Sequence, residues 1–255
     1  MASADALKVE GNKWFASGDY GKADSFYTQA IIKDPTNAAY FTNRALTRVR
    51  MEQWEAVVND CQKAIELVPQ NMKAYTYLGN ALLNLGRPAE AFSASHKAYG
   101  LAIEAKSPSV STIATACLAA KKARWELEET ERMERESALL RDTQKMYRDT
   151  MGAEEAEEKC RALEVVFGKS DEARLQRREV PDYLIDMITF GIMFDPVVTK
   201  LGQSYDRATL INHLKRTQTD PLTKAPLTEA DLRPNLALKA ASEAFLKENG
   251  WAVDW

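Results

Sequence analysis

The sequence predicts a mostly α-helical protein that ends in a small α+β domain, and three observations support this fold class. First, the chain has 11 glycines and 9 prolines among 255 residues, about 8% against an average usage of roughly 12%. Few residues therefore interrupt helices. Second, the first third of the chain repeats itself every 34 residues, a period typical of stacked helix hairpins. Third, five of the nine prolines lie in the last 75 residues, where the pattern changes.

The N-terminal repeats predict three helix hairpins. Ala30, Ala64 and Ala98 are 34 residues apart, and Pro35 and Pro69 keep the same interval. Small residues suit the points where helices touch, and proline ends the second helix of a hairpin. The pattern resembles tetratricopeptide repeats, and its first copy has these matching positions: Leu7, Gly11, Trp14, Ala23, Tyr27, Ala30 and Pro35. We therefore expect a tetratricopeptide-repeat helical solenoid over residues 3–104.

The middle of the chain predicts a long helical hairpin over residues 105–178. Between Ser109 and Arg178 there is no proline, and the glycines are Gly152 and Gly168. Two long helices joined near residues 152–154 fit this composition. A highly charged helix buries little surface by itself, so we expect it to pack against the repeats or to form a homodimer with a second copy. A solvated spacer is the remaining alternative.

The last segment, residues 180–255, predicts a compact α+β domain. Residues 196–205 are typical of a short β-hairpin with its turn at Gly202. Asp206 is a candidate cap for a helix from Arg207 to about Thr217, and Asn235 opens a last helix that closes near Gly250. A domain of about 75 residues has a small core, so we expect it to need support from outside.

The first helices of the three hairpins carry a candidate binding site. Lys8 and Asn12 lie one turn apart on the first of them. Asn43 takes the equivalent helix of the second repeat, and Lys73 opens that of the third. Two ammonium groups and two amides that face one groove suit a pair of closely spaced carboxylates. For each lysine alone, an ordinary solvated charge is the alternative.

This set resembles the dicarboxylate clamp of cochaperones with tetratricopeptide repeats. Those proteins bind the Glu-Glu-Val-Asp tails of heat-shock proteins 70 and 90. The resemblance implies these acidic tails as partners, with Lys8, Asn12, Asn43 and Lys73 as the clamp. Where that family has an arginine, this sequence has Tyr77. We therefore expect one weaker carboxylate contact and a groove that accepts apolar side chains of the peptide.

The C-terminal segment resembles the U-box of ubiquitin ligases over its full length. The matching motifs are Ile188–Phe190, Asp195–Val197, Tyr205–Arg207, Asp220–Thr223 and Asp231–Lys239. A U-box is like a RING domain that has lost its zinc, and residues 161–255 contain no cysteine. The resemblance implies a domain that docks a ubiquitin-charged conjugating enzyme. It forms no covalent ubiquitin intermediate, so no catalytic residue is expected.

The same resemblance places the docking surface on two loops. Ile188 and Phe190 belong to the first loop, and Pro221 to the second. Exposed apolar residues beside proline make a patch that loses little entropy when it binds. Lys224 takes the position of a basic residue that bridges the conjugating enzyme and ubiquitin, although arginine suits that role better. The alternative for Ile188 and Phe190 is a place in the core.

Composition excludes several classes of protein. A net charge of −3 gives no reason to expect nucleic-acid binding, and no run of roughly 18 apolar residues could cross a membrane. Three scattered cysteines and two histidines cannot build a zinc site, so we expect no metal and no cofactor. Without a signal peptide at the N-terminus, a cytoplasmic protein is expected, and nuclear entry stays open.

Two further features favour structural roles. His213 has no serine, cysteine or carboxylate placed beside it by the sequence, so we expect a structural hydrogen bond rather than catalysis. The basic run Lys121–Arg124 is expected to be solvated or to cap a helix rather than to direct nuclear targeting.

Together, the two modules resemble chaperone-associated ubiquitin ligases. We expect a protein that holds a chaperone by its tail and ubiquitinates the bound misfolded client or the chaperone. A non-catalytic cochaperone adaptor is the main alternative, which a charge at Ile188, Phe190 or Pro221 would have favoured. A repeat protein with a prolyl-isomerase or other small-molecule active site is the third, although no polar triad is visible.

Overall fold

The computed structural model describes residues 3–175 and 179–255. The repeat domain consists of six helices in three antiparallel hairpins: α1 (Ala4–Ala16), α2 (Tyr20–Lys33), α3 (Ala38–Arg50), α4 (Trp54–Leu67), α5 (Met72–Asn84) and α6 (Pro88–Glu104). Gly18, in the turn of the first hairpin, has a φ of +83°, a conformation that costs little only without a Cβ atom. The predicted solenoid is confirmed.

Local sequence explains where these helices start and meet. Four of the six begin at a side chain that accepts a bond from a first-turn backbone N–H: Ser3, Asp19, Asn37 and Asn71. Such caps satisfy donors that have no partner inside the helix. Alanines without exposed surface fill the contacts between helices: Ala23, Ala30, Ala45, Ala64, Ala81, Ala91 and Ala98.

The predicted long helices are α7 (Val110–Thr150) and α8 (Ala153–Leu175), joined at Gly152. The start of α7 is buried against α6 through Val110, Ile113 and Cys117. The solvated-spacer alternative is therefore wrong for this part of α7. The predicted end of the hairpin at residue 178 lies outside the described residues.

The C-terminal domain surrounds a small antiparallel sheet. Its elements are β1 (Pro196–Val198), β2 (Ser204–Asp206), α9 (Arg207–Leu214), β3 (Arg233–Pro234) and α10 (Leu236–Glu248), with single 3₁₀ turns at Asp182–Leu184, Glu229–Asp231 and Gly250–Asp254. The strand order is β2-β1-β3. Val197 pairs with Tyr205 on one side and with Pro234 on the other. The predicted hairpin is confirmed; β3, only two residues long and containing proline, carried no sequence signal.

Both predicted helix caps of this domain are confirmed, because Asp206 and Asn235 accept bonds from the backbone N–H groups of Ala208 and Leu238. The prediction that α9 reaches Thr217 is wrong, since the helix ends at Leu214. The N–H groups of Arg216 and Thr217 both bond to the carbonyl of His213, which closes the last turn.

His213 itself has the structural role expected of it. Its Nε2 atom lies 3.0 Å from the Thr219 carbonyl oxygen and 3.0 Å from Thr217 Oγ1. The imidazole therefore ties the end of α9 to the following loop.

The C-terminal domain packs against α6 and α7, which supply the external support that its size requires. The Tyr99 hydroxyl donates to Asp195 at 3.0 Å, and its ring meets Phe194 edge-on at 5.3 Å. Arg207 and Lys239 also pair with Asp195, at 2.6 and 3.3 Å. Burial alone would raise the pKa of Asp195, but these partners outweigh it and lower that pKa.

Part of the basic run on α7 takes part in this contact, so its prediction as a solvated or capping run is wrong for Lys121 and Lys122, whereas Arg124 is exposed. The Lys121 ammonium lies over the rings of Phe92 and Phe194, at 5.2 and 5.6 Å from their centroids. Lys122 forms an ion pair with Asp254 near the C-terminus. Residues distant in sequence surround the run, and the sequence alone could not reveal them.

Among the helices of residues 3–175 and 179–255, none is long and apolar enough to cross a membrane.

Candidate functional site

Two predicted clamp residues from different repeats meet in the structure. Asn12 on α1 and Asn43 on α3 are 31 positions apart, yet Asn43 Nδ2 lies 3.3 Å from Asn12 Oδ1. The Tyr27 hydroxyl, from α2, donates to the same oxygen at 2.7 Å. The first hairpin and the start of the second therefore converge on one polar point.

Lys8 lies one turn before Asn12 and already has a carboxylate partner. Its Nζ atom is 2.8 Å from Asp5 Oδ1 and 5.8 Å from the centroid of the Tyr40 ring. Tyr40 also donates to Asp5, at 3.2 Å. The hydrogen bond to Asp5 raises the pKa of Lys8, so its ammonium stays charged at neutral pH.

Asn43 and Lys73 line one open cavity of about 600 Å³ between the second and third repeats. Asn71, the cap of α5, and Thr42 join them in its wall. Three of the four predicted clamp residues thus form two linked pairs, Asn12 with Asn43 and Asn43 with Lys73. The repeat register predicted this convergence.

Tyr77 lies apart from that cavity. It follows Lys73 by one turn of α5 but is half-buried against the repeat core. Burial raises the pKa of its hydroxyl. The side chain is thus held mainly by apolar packing.

Sequence reasoning missed the ion-pair network that holds α3, the helix of Asn43. Arg44 contacts Asp60 of α4 at 2.6 Å. Arg48 contacts Asp60 at 3.0 Å and Asp24 of α2 at 2.7 Å. Asp60 is buried, so its charge requires these partners. In the sequence, two arginines one turn apart and an aspartate on each neighbouring helix could have indicated this network.

The first predicted docking loop is a tight turn pinned by Asp186. One oxygen of this buried carboxylate accepts from the Thr189 hydroxyl at 2.8 Å, and the other from the Asp206 N–H at 3.1 Å. Phe190 closes the turn with a φ of +59° and is 69% exposed. Ile188 instead is partly buried against the core of the domain. The structure thus separates two residues that the sequence treated alike.

The second loop is pinned in the same way by Asp220. Its Oδ1 atom accepts from the N–H groups of Leu222 and Thr223, both at 2.9 Å, and from the Tyr205 hydroxyl at 3.1 Å. Burial opposes the charge, but the backbone N–H groups outweigh it and lower the pKa of Asp220. Pro221 is half-buried at the start of this loop.

Lys224 closes the second loop. It has a φ of +60°, and its ammonium donates to the Pro221 carbonyl at 2.7 Å. The acceptor of this bond is an uncharged backbone oxygen at the surface, so the bond does not neutralise the positive charge of the ammonium.

Other exposed apolar side chains on or next to these loops were not predicted: Tyr183, Met187 and Leu222. Their signal would have been their position beside the two predicted docking loops, since exposed apolar patches mark interaction sites.

A repeated Asp-x-x-Thr pattern marks the network that supports the loops. It occurs at Asp186–Thr189, Asp206–Thr209 and Asp220–Thr223. Asp206 accepts from two further backbone N–H groups at 2.9 Å, and burial raises its pKa despite them. These hydrogen bonds fix both loops. Among the described residues, no group of three or more histidine, cysteine, aspartate or glutamate side chains is placed to hold a metal ion.

Family comparisons match both modules. The model of the U-box domain matches residues 180–251, and a tetratricopeptide-repeat model matches residues 61–92. The E3 ubiquitin-protein ligase CHIP of Arabidopsis thaliana is 35% identical over 98% of this chain and 96% of its own length. The chain belongs to the CHIP family of U-box ubiquitin ligases.

Other relatives match the repeats of this CHIP-family chain alone. The small glutamine-rich tetratricopeptide repeat-containing protein 2 of Saccharomyces cerevisiae is 40% identical over 38% of this chain and 28% of its own length. Among solved structures, the TPR2B domain of yeast Sti1 in complex with pHsp70 is 26% identical over 46% of this chain and 94% of that one, with a TM-score of 0.45.

Membership of the CHIP family confirms the prediction of an E3 ubiquitin ligase with repeats and a U-box. The alternatives of a non-catalytic adaptor and of a small-molecule enzyme are therefore not supported.

Proposed function

We propose that this CHIP-family ligase binds the acidic C-terminal tails of heat-shock proteins 70 and 90 in its repeat groove. The observation that carries the proposal is the meeting of Asn12 and Asn43, which come from different repeats and lie 3.3 Å apart. Lys8 lies one turn before Asn12 on α1, and Lys73 lines the same cavity as Asn43. Amide and ammonium donors together suit two carboxylates, which only accept hydrogen bonds.

Tyr77 replaces the arginine of the clamp in this proposal. Its ring packs with the apolar core, so it adds no charged bond to the peptide, and only the part of the ring left exposed is available for apolar contact. The tail is then held mainly by Lys8, Asn12, Asn43 and Lys73.

The proposed docking site for a ubiquitin-charged conjugating enzyme consists of Ile188, Phe190, Pro221 and Lys224. Phe190 supplies an exposed apolar anchor on a loop that Asp186 holds rigid. Such an anchor loses little conformational entropy on binding. Lys224 offers one positive charge toward the enzyme or ubiquitin. Transfer then goes directly from the conjugating enzyme to a lysine of the bound client or chaperone.

We further propose a homodimer and the domain limits 3–104, 105–178 and 180–255. Large apolar side chains remain exposed on the paired helices: Leu139, Met146, Val165 and Val166. A partner copy would cover them. The U-box match at residues 180–251 supports the last limit. We place the ligase in the cytoplasm, where these chaperones and their misfolded clients occur.

Reconstituted ubiquitination tests this proposal. Purified chain, activating enzyme, conjugating enzyme, ubiquitin and ATP are expected to build ubiquitin chains on the ligase and on heat-shock protein 70. Removing the last four residues of the chaperone should abolish only its own modification. Equal modification of the intact and shortened chaperone would contradict recognition through the tail.

A further inference from the structure

Tyr27 lies directly beneath the clamp, on a helix that contributes no predicted clamp residue. The side chain is only 2% exposed, and its hydroxyl donates to Asn12 Oδ1 at 2.7 Å. The ring reaches this position by lying on the backbone of Gly11. A Cβ atom at residue 11 would come within 2.7 Å of Tyr27 Cε1.

The amide of Asn12 receives two donors on one atom. Asn43 Nδ2 approaches the same Oδ1 at 3.3 Å. Because the oxygen and nitrogen of an amide lie on opposite sides of its carbon, an oxygen held inward leaves Nδ2 directed outward. The outward group is then a pure donor, as a carboxylate requires. A reversed Asn12 amide would place its own oxygen opposite a carboxylate oxygen of the tail, and two acceptors form no hydrogen bond.

We propose that Tyr27 is a positioning residue of the clamp, which orients the Asn12 amide so that its Nδ2 faces a carboxylate of the acidic tail. This inference rests on the proposed tail binding. Burial raises the pKa of Tyr27, so the hydroxyl keeps its proton and its donor role at neutral pH. Tyr27 also matches the repeat pattern, but packing alone would need only the ring.

A double-mutant cycle on the full-length chain separates orientation from packing. The probe is a fluorescent peptide that ends in Glu-Glu-Val-Asp with a free carboxylate. Tyr27→Phe keeps the ring on Gly11 and removes only the hydroxyl, and Asn12→Ala removes the oriented amide. We expect Tyr27→Phe to weaken binding by about 3- to 10-fold, the range for one lost hydrogen bond. In the Asn12→Ala background, the same change should alter affinity by less than about 2-fold.

Two outcomes would overturn the inference. One is a Tyr27→Phe variant that binds as tightly as wild type. The other is the same loss in both backgrounds, which would mean that Tyr27 acts through packing and not through Asn12. If tail binding itself is wrong, the result differs from both of these, because wild type would then bind the free-acid peptide and its C-terminal amide equally well.

Two more variants complete the design. Tyr20→Phe changes a tyrosine on the same helix whose ring makes a tilted contact with Phe15, with the centroids 5.4 Å apart, and should leave peptide affinity unchanged. Gly11→Ala keeps the hydroxyl but displaces the ring that carries it, and should weaken binding only when Asn12 is present. A loss with Gly11→Ala that persists in the Asn12→Ala background would count against the inference.

Discussion

At the scale of single residues, the Lys8 ammonium has a competitor within its own helix. Asp5 holds it at 2.8 Å, and both residues are at the surface of α1. A tail carboxylate must replace this partner before Lys8 can bind it. Exposed ion pairs of this kind are weak, so we expect replacement to lower affinity only slightly.

Lys8→Ala and Asp5→Asn should therefore change tail affinity in opposite directions. Loss of a charge-assisted contact predicts about 10- to 150-fold weaker binding for Lys8→Ala. Loss of the competitor predicts about 2- to 5-fold tighter binding for Asp5→Asn. Calorimetry with the free-acid peptide measures both. Weaker binding by Asp5→Asn would mean that Asp5 orients Lys8 rather than competes for the ligand.

Phe190→Ala and Ile188→Ala should fail in different ways. Phe190 is exposed, so its truncation should abolish ubiquitin transfer and leave the melting temperature and the tail affinity unchanged. Truncating an interface anchor typically costs more than about 2 kcal/mol of binding free energy. Ile188 packs against the core, so its truncation should also destabilise the U-box, by on the order of 1–2 kcal/mol. Transfer assays and thermal melts distinguish the two variants. A folded Phe190→Ala variant that still builds chains would move the docking surface elsewhere.

At the scale of elements, α7 connects all parts of the chain. Its first turns cover α6, and its middle contacts the U-box through Lys121, Lys122 and Trp125. The Trp125 indole donates to the Glu248 carbonyl at 3.0 Å. A Cβ atom at Gly250 would lie 2.4 Å from Trp125 Cβ, so this contact also requires a glycine. The rest of α7 pairs with α8.

The tyrosine that is bonded to the second U-box loop is expected to make the stability of the domain fall at high pH. Burial and the bond to Asp220 raise the pKa of Tyr205 to about 12, from about 10 in the unfolded chain. Because the folded pKa is the higher one, the stabilisation is complete below pH 10 and is lost as pH rises toward 12. The expected loss in the free energy of unfolding is about 3 kcal/mol. Tyr99 acts in the same direction, since burial raises its pKa as well.

Urea unfolding at several pH values above 9 measures this loss. Tyr205→Phe should be less stable near neutral pH but should show a flatter decline between pH 10 and 12. An identical slope in wild type and variant would contradict the assignment.

At the scale of the whole molecule, we expect a homodimer formed by the α7–α8 hairpin. Light scattering on the full chain should give twice the chain mass of 28.6 kDa. Leu139→Glu and Val166→Glu place charges on exposed apolar positions of the two helices and should give monomers. Ile32→Glu, on an exposed apolar residue of α2, is the matched control and should remain dimeric. A monomeric wild type at micromolar concentration would contradict this prediction.

Folding and ligase activity should be indifferent to metal chelators. The U-box loops are held by hydrogen bonds that the carboxylates of Asp186, Asp206 and Asp220 accept. We expect the same melting temperature with and without EDTA, and less than one zinc per chain by elemental analysis. Ligase that is treated with EDTA, freed of the chelator and then assayed with Mg²⁺ and ATP should autoubiquitinate at the same rate as untreated ligase. One tightly held zinc, with unfolding on its removal, would contradict the zinc-free assignment.

What could be predicted from the sequence depended on local pattern. The 34-residue period and the prolines predicted the repeats, and the capping side chains Asp206 and Asn235 predicted the starts of two C-terminal helices. The register of the repeats placed Asn12 and Asn43 on equivalent helices, so their meeting was foreseeable. The early end of α9 was not, because a backbone turn closed by the His213 carbonyl leaves little trace in residue type.

The sequence by itself determined the two modules, their order and the residue types of both candidate sites, because periodicity, caps and motifs act over a few neighbouring residues. Only the tertiary structure decided that Tyr27 holds Asn12, that Phe190 is exposed while Ile188 is partly buried, and that Lys121 lies between rings of the repeats and the U-box. Each of these depends on helices and loops distant in sequence, whose relative positions follow from the packing of the whole core.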